Sequence, residues 1–83
     1  MTFKDEPTES QLNFVYQLIN WSMSGPEARF ATNWLKDHST MRDISYEIQR
    51  LKKLKSEHKL DRETIFENEI WDNCPVKLGK VQG

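Results

Sequence analysis

The sequence predicts an all-α fold, a compact bundle of three to four short helices with a disordered C-terminal tail. Apolar residues recur at spacings of three and four, and Ser, Thr and Asp residues stand as caps before those runs. No stretch alternates apolar and polar residues as a half-buried strand would. At 83 residues the chain has room for one domain, divided here into an arm over 1–7, a helical domain over 8–73 and a flexible tail over 74–83. A domain of this size buries only about 60 to 65% of the surface of its unfolded chain, so it depends on large side chains. Three Trp, two Tyr and four Phe supply them.

The first helix starts at Thr8-Glu9-Ser10-Gln11, which has the form of a capping box: the Thr8 hydroxyl takes one orphan amide and Gln11 reaches back to another. Leu12, Val15, Leu18, Ile19 and Ser22 follow on one stripe, and Phe14, Tyr16 and Trp21 widen it, which predicts contact on more than one side. Ser24-Gly25-Pro26 ends this helix, and Pro26 suits the first position of a second, short one. Phe30, Ala31, Trp34 and Leu35 form its apolar face before Asp37-His38-Ser39-Thr40 breaks the pattern.

Thr40 and Asp43 make a second capping pair, with Ser39 as a competing start, and the third helix runs from about Met41 to the high fifties. Its core face is Ile44, Ile48 and Leu51, which lie within about 60° of one another at 100° per residue, joined by Met41. Arg42, Tyr46, Gln49, Arg50 and Lys53 share the opposite arc of roughly 100°. Beyond Leu51 the core-facing angles fall to Lys52, Lys55 and Lys59, so the last turns are expected to project past the domain. Leu60-Asp61, with Glu63 in the first turn, opens a fourth helix whose face is Ile65, Phe66, Ile70 and Trp71. Asn73-Cys74-Pro75 stops it.

Charge is distributed unevenly. Arg42, Arg50, Lys52, Lys53, Lys55 and Lys59 face only Asp43, Glu47 and Glu57 in one helix-length segment, inside a chain of net charge −1. Cations on a helix face release counterions when they neutralise phosphates, and a Tyr such as Tyr46 can stack on an exposed base. A solvated face is the competing reading, since Glu47 and Glu57 stand at salt-bridge spacing from Arg50 and Lys53.

Catalytic and cofactor chemistry find little support. His38 and His58 are far apart in sequence, and Cys74, the single cysteine, has no neighbouring base to activate it. Asp37, His38, His58, Asp61 and Glu67 lack metal-ligand spacing, and Gly25, Gly79 and Gly83 form no phosphate loop. A non-enzymatic protein with no cofactor and no metal is expected. One cysteine permits no internal disulfide, the stretch 1–9 has no signal-peptide apolar run, and no segment reaches the roughly 20 apolar residues of a membrane span. The expected location is the cytoplasm, without membrane contact.

Pro7-Thr8-Glu9-Ser10-Gln11-Leu12-Asn13-Phe14-Val15, then Ser39-Thr40-Met41-Arg42-Asp43-Ile44-Ser45 and Ile48-Gln49-Arg50-Leu51-Lys52, cover about half the chain. They resemble small helical modules of phage and mobile-element proteins of Gram-positive bacteria, and in outline the SAP family of DNA-binding motifs. The chain departs from that pattern in the aromatic-rich segment from Trp21 to Leu35 and in Ile44, where Ala is common. The resemblance implies a DNA-binding role with Arg42, Arg50, Lys52 and Lys53 as phosphate contacts.

Two functions follow as expectations. One is a phage or mobile-element accessory protein contacting nucleic acid through Arg42, Tyr46, Arg50, Lys52, Lys53 and Lys55. The other is an adaptor or inhibitor of a host enzyme, or a homodimer, docking through an aromatic surface that includes Tyr16, Trp21 and Trp34.

Overall fold

Each of the four α-helices opens on a reciprocal capping box, in which a side chain accepts from the third amide of the helix while the third side chain accepts from the cap amide. The computed structural model describes residues 6–80. Helix α1 spans Glu9–Ile19, α2 Gly25–His38, α3 Met41–Ser56 and α4 Arg62–Ile65, and a 3₁₀ turn follows at Glu69–Trp71; no strand occurs among the described residues. The bundle is all-α, and its Cα radius of gyration of 12.1 Å matches the roughly 12 Å of a compact chain of this length.

Three of the four boxes begin helices where expected, those of Thr8 with Gln11, Thr40 with Asp43 and the Asp61 cap of α4. The box of Ser24 with Glu27 begins α2 at Gly25, and Asp37 and His38 stay helical, so α2 has 14 residues and is not the short helix expected. Ala28, Ala31, Thr32 and Leu35 form its buried face. The Thr32 hydroxyl donates to the Ala28 carbonyl at 2.7 Å, which lets a polar residue lie inside.

Helix α1 packs against both α2 and α3. Gln11 Nε2 donates to the Met41 carbonyl at 3.4 Å and Ser22 Oγ to the Leu60 carbonyl at 3.3 Å, so α1 and α3 run side by side in the same direction. Leu12, Val15, Leu18 and Ile19 meet Ile44 and Leu51 in the core, with Ile48 and Leu54 partly buried beside them. Met41, expected in this core, is exposed, because it is the first residue of α3 and sits at the core's rim. The last turns of α3 do not project: Lys52 and Lys55 lie over the Phe14 and Trp21 rings of the α1 segment.

The expected fourth helix is broken in two. Arg50 reaches across from α3 and donates to the carbonyls of Thr64 at 2.8 Å and Ile65 at 2.6 Å. Those are the acceptors that the amides of residues 68 and 69 would need for the helix to continue. Asn68 instead caps the 3₁₀ turn by accepting from Ile70. Trp71 is fully buried, and the core continues past residue 73 with Cys74 and Val76, both at 0% exposure. A turn then closes with Lys80 N–H on the Pro75 carbonyl at 2.9 Å and Gly79 in the left-handed region at φ 74°. The remainder of the expected tail, 81–83, and the arm over 1–5 lie outside the described residues.

Helix α3 ends in the same motif with a costlier residue. Lys59 N–H donates to the Leu54 carbonyl at 2.8 Å and His58 N–H to the Lys55 carbonyl at 3.1 Å, which places His58 at φ 59°. Only glycine holds that conformation without a Cβ penalty. Among the described residues no helix is long and apolar enough to cross a membrane.

Arg62 ties the second half of the chain to the first. It donates to Glu27 Oε2 at 3.0 Å and to the Val76 carbonyl at 2.9 Å. Desolvation pushes the Glu27 carboxyl upward, but hydrogen bonds from Arg62 and Ser24 and the Arg62 charge outweigh it and leave the pKa below the ordinary 4.5. A depressed carboxylate stabilises the fold above its unfolded pKa and loses that contribution as pH falls through the folded value.

Two measurements follow. The variant His58→Gly gains about 0.5 to 1 kcal/mol in urea unfolding at pH 7, by relief of the left-handed conformation. The variant Glu27→Gln loses up to about 1 kcal/mol at pH 7, a value held down by the partial exposure of Arg62. That deficit shrinks as pH is lowered below 4.5. A deficit independent of pH removes the ion pair as its cause.

Candidate functional site

Arg50, expected among the phosphate contacts, is committed inward. Its Nε donates to Glu47 Oε1 and one terminal nitrogen to Glu47 Oε2, both at 2.7 Å. With the Thr64 and Ile65 carbonyls, four of the five N–H groups a guanidinium offers are taken. Glu47 is fully buried and also accepts from Asn68 Nδ2 at 2.7 Å and Trp71 Nε1 at 2.6 Å. The Glu47 to Arg50 spacing read as a surface salt bridge is therefore the polar centre of the core.

The remaining cations face outward. Arg42, Lys52, Lys53 and Lys55 are exposed and have no carboxylate partner among the described residues. They divide into two groups about α3. Arg42, Tyr46, Gln49 and Lys53 form the outer stripe, all exposed, as the helical spacing predicts. Tyr46 also borders a groove of about 460 Å³ that Trp34, His38 and two acids, Asp43 and Glu69, line with it. Lys52 and Lys55, one turn apart, stand over the seam between α3 and the α1 segment.

The seam joins cations and aromatics. The Lys52 ammonium is 5.8 Å from the centre of the Phe14 ring and that of Lys55 5.9 Å from the Trp21 ring. Trp21 is 79% exposed and Phe14 41%. Two adjoining grooves meet here, of about 420 Å³ and 280 Å³. Trp21 and Lys55 line both, and His58 and Leu60 complete the smaller.

The other two aromatics expected at an interface have partners inside the protein. Trp34 stacks on His38 with ring centres 4.3 Å apart and planes 6° from parallel. Tyr16, half buried, carries the Arg29 guanidinium 4.9 Å above its ring. Phe14 belongs to the surface although it was expected to widen the core stripe. Its spacing from Trp21, seven residues or two turns, is the sequence signal that the two share a side.

Acidic residues collect on the far side of α3. Asp61, Glu63, Glu67, Glu69 and Asp72 stand in the segment that Glu47 and Arg50 hold, with Arg62 as its single cation. A chain of net charge −1 thus keeps a basic seam on one side of α3 and an acidic strip on the other.

Cys74 is buried, and desolvation pushes its thiol pKa up against smaller opposing effects of the Val76 and Lys77 amides and the Arg62 charge. His38 Nδ1 is 2.8 Å from the Trp34 carbonyl, and His58 lies at the far end of α3. Among the described residues no three His, Cys, Asp or Glu side chains come together as a metal set.

No protein-family model matches the chain, and no curated protein or solved structure matches it.

The two classes of cation separate on mutation. Arg50→Ala strips the buried Glu47 carboxylate of its counter-charge and costs about 3 kcal/mol or more in chemical denaturation. Lys53→Ala changes stability by less than about 0.5 kcal/mol. Equal, small effects at both positions contradict the inward role of Arg50.

Proposed function

We propose that the protein is a small non-enzymatic accessory protein, of the kind phages and mobile elements carry, that contacts nucleic acid through the cations of α3. The observation that supports this reading is the sorting of positive charge. Arg50 and Arg62 are consumed by the fold, whereas Arg42, Lys52, Lys53 and Lys55 stay exposed, unpaired and on one helix. Unpaired cations cost no desolvated partner when they meet phosphates, and their contacts position a protein on a backbone without reading sequence. The acids of the 61–72 segment, which Glu47 and Arg50 hold against α3, make the charge of the molecule uneven and favour approach of a polyanion from the lysine side.

A second reading has its own observation. Trp21, at 79% exposure beside Phe14, is the type of residue that anchors protein interfaces. An adaptor or inhibitor of a host enzyme, or a homodimer, would use that surface.

Titration of labelled DNA and RNA by fluorescence anisotropy decides between them. With four cations on phosphates, log K falls with log salt at a slope of about −3. The triple variant Arg42→Glu, Lys52→Glu and Lys53→Glu abolishes binding and keeps the circular dichroism of the wild type. Absence of binding at low salt, or binding indifferent to salt and to those substitutions, overturns the nucleic-acid reading. Capture of a protein from bacterial lysate that survives nuclease and high salt favours the second.

A further inference from the structure

We infer that the nucleic acid held by this protein is single-stranded, with bases stacked on Trp21 and Phe14 and the backbone drawn along Lys52 and Lys55. This rests on the nucleic-acid reading and deepens it. A duplex presents phosphates but keeps its base faces stacked, so it has no use for exposed rings beside the lysines. A single strand offers both.

Three features of the seam select that ligand. First, both rings are accessible: Trp21 is 79% exposed and Phe14 41%, while the chain's other two Trp residues are buried or stacked internally. Second, each ring has its own ammonium, at 5.8 Å and 5.9 Å, near the outer limit of about 6 Å for a cation over a ring. Both lysines are exposed and lack carboxylate partners among the described residues, so their ammonium groups are free to swing onto phosphates as a base takes the ring face. Third, Trp21 and Lys55 stand between two adjoining grooves of about 420 Å³ and 280 Å³, leaving concave space on each side of the indole.

Charge complementarity determines the occupant. A purely apolar partner would leave Lys52 and Lys55 beside a dry surface without counter-charge, at a desolvation cost. A polyanion with planar aromatic groups meets both halves of the seam at once. Phe14 lies in α1 and Trp21 in the turn that follows it, each under its own lysine and both lining the larger groove, so each ring can take a separate base.

The experiment compares a single strand of about 12 nucleotides, in deoxy and ribo forms, with the corresponding duplex, a length within the range that aromatic-lined surfaces cover. The single strand binds more tightly than the duplex and quenches tryptophan fluorescence. Trp21→Ala lowers single-strand affinity about 5- to 150-fold, the range for loss of one base stack, removes the quenching and leaves weak duplex binding unchanged. Trp21→Phe keeps a ring and restores most of the affinity. Because Trp21 is mostly exposed, both variants keep the wild-type thermal transition. Duplex binding equal to or tighter than single-strand binding, with no effect of Trp21→Ala, overturns the inference and leaves the basic face of α3 in place. Failure of both nucleic acids to bind overturns the inference together with the reading beneath it.

Discussion

The carboxylate of Glu47 is the constraint on which the second half of the fold depends. It is fully buried and accepts four hydrogen bonds, two from Arg50 and one each from Asn68 and Trp71. An uncompensated carboxylate in that place would cost several kcal/mol, so its donors have to be brought to it. Arg50 comes from the same helix, three residues on, but Asn68 and Trp71 lie 21 and 24 residues downstream. Satisfying Glu47 therefore folds the 62–71 segment back onto α3. A hydrophobic core alone would accept that segment in several positions, whereas a carboxylate with a fixed set of donors accepts one.

The same network explains why the fourth helix stops after one turn and why positive charge is sorted as it is. Arg50 donates to the carbonyls of Thr64 and Ile65 where the helix ends, and the Thr64 carbonyl also accepts from the Glu67 amide at 3.4 Å, a three-residue closure that tightens the last turn. Planar guanidinium forks suit this bridging of carboxylate and carbonyl groups, and Arg62 does the same between Glu27 and Val76. Lysine, a point charge on a flexible stem, does not. The fold thus commits Arg50 and Arg62 to internal bonds and leaves Arg42 and the α3 lysines on the surface, where an exposed cation is cheap to keep.

Much of the architecture was legible in local signals. Thr8 with Gln11 and Thr40 with Asp43 announce α1 and α3 because a capping box is made within one turn and needs no tertiary partner. At the second boundary Pro26 marks the start of α2 to within one residue, and the Ser24 and Glu27 pair around it sets that start at Gly25. The break at residue 66 was not legible, because the Arg50 side chain that holds the carbonyls there comes from 14 and 15 residues before Thr64 and Ile65. For the candidate site, the outer stripe of Arg42, Tyr46, Gln49 and Lys53 follows from helical angle alone. The inward turn of Arg50 does not, although Glu47 gives a hint: it lies between Ile44 and Leu51, on the core side of α3, where a carboxylate demands donors. Phe14 widens the apolar stripe of α1 in the sequence, and which side of that wide stripe is covered is settled only by packing, which leaves Phe14 41% exposed beneath Lys52.

Leaving Trp21 outside a chain this small forgoes on the order of 2 kcal/mol of burial, and a fold of 83 residues has little stability to spare. The core does not need the ring: Trp71, Ile19, Leu35 and Leu51 are completely enclosed, and no buried side-chain polar atom among the described residues is without a partner. The side chains of the seam are accordingly decoupled from the network that holds the fold. Glu47 and Arg50 bind one side of α3 to the acidic segment, and Lys52 and Lys55 occupy the other, so substitutions in the seam change what the surface offers without disturbing the buried carboxylate. A single helix thereby carries the internal polar anchor and the external basic face, and the rotation between them keeps the two from competing for the same cations.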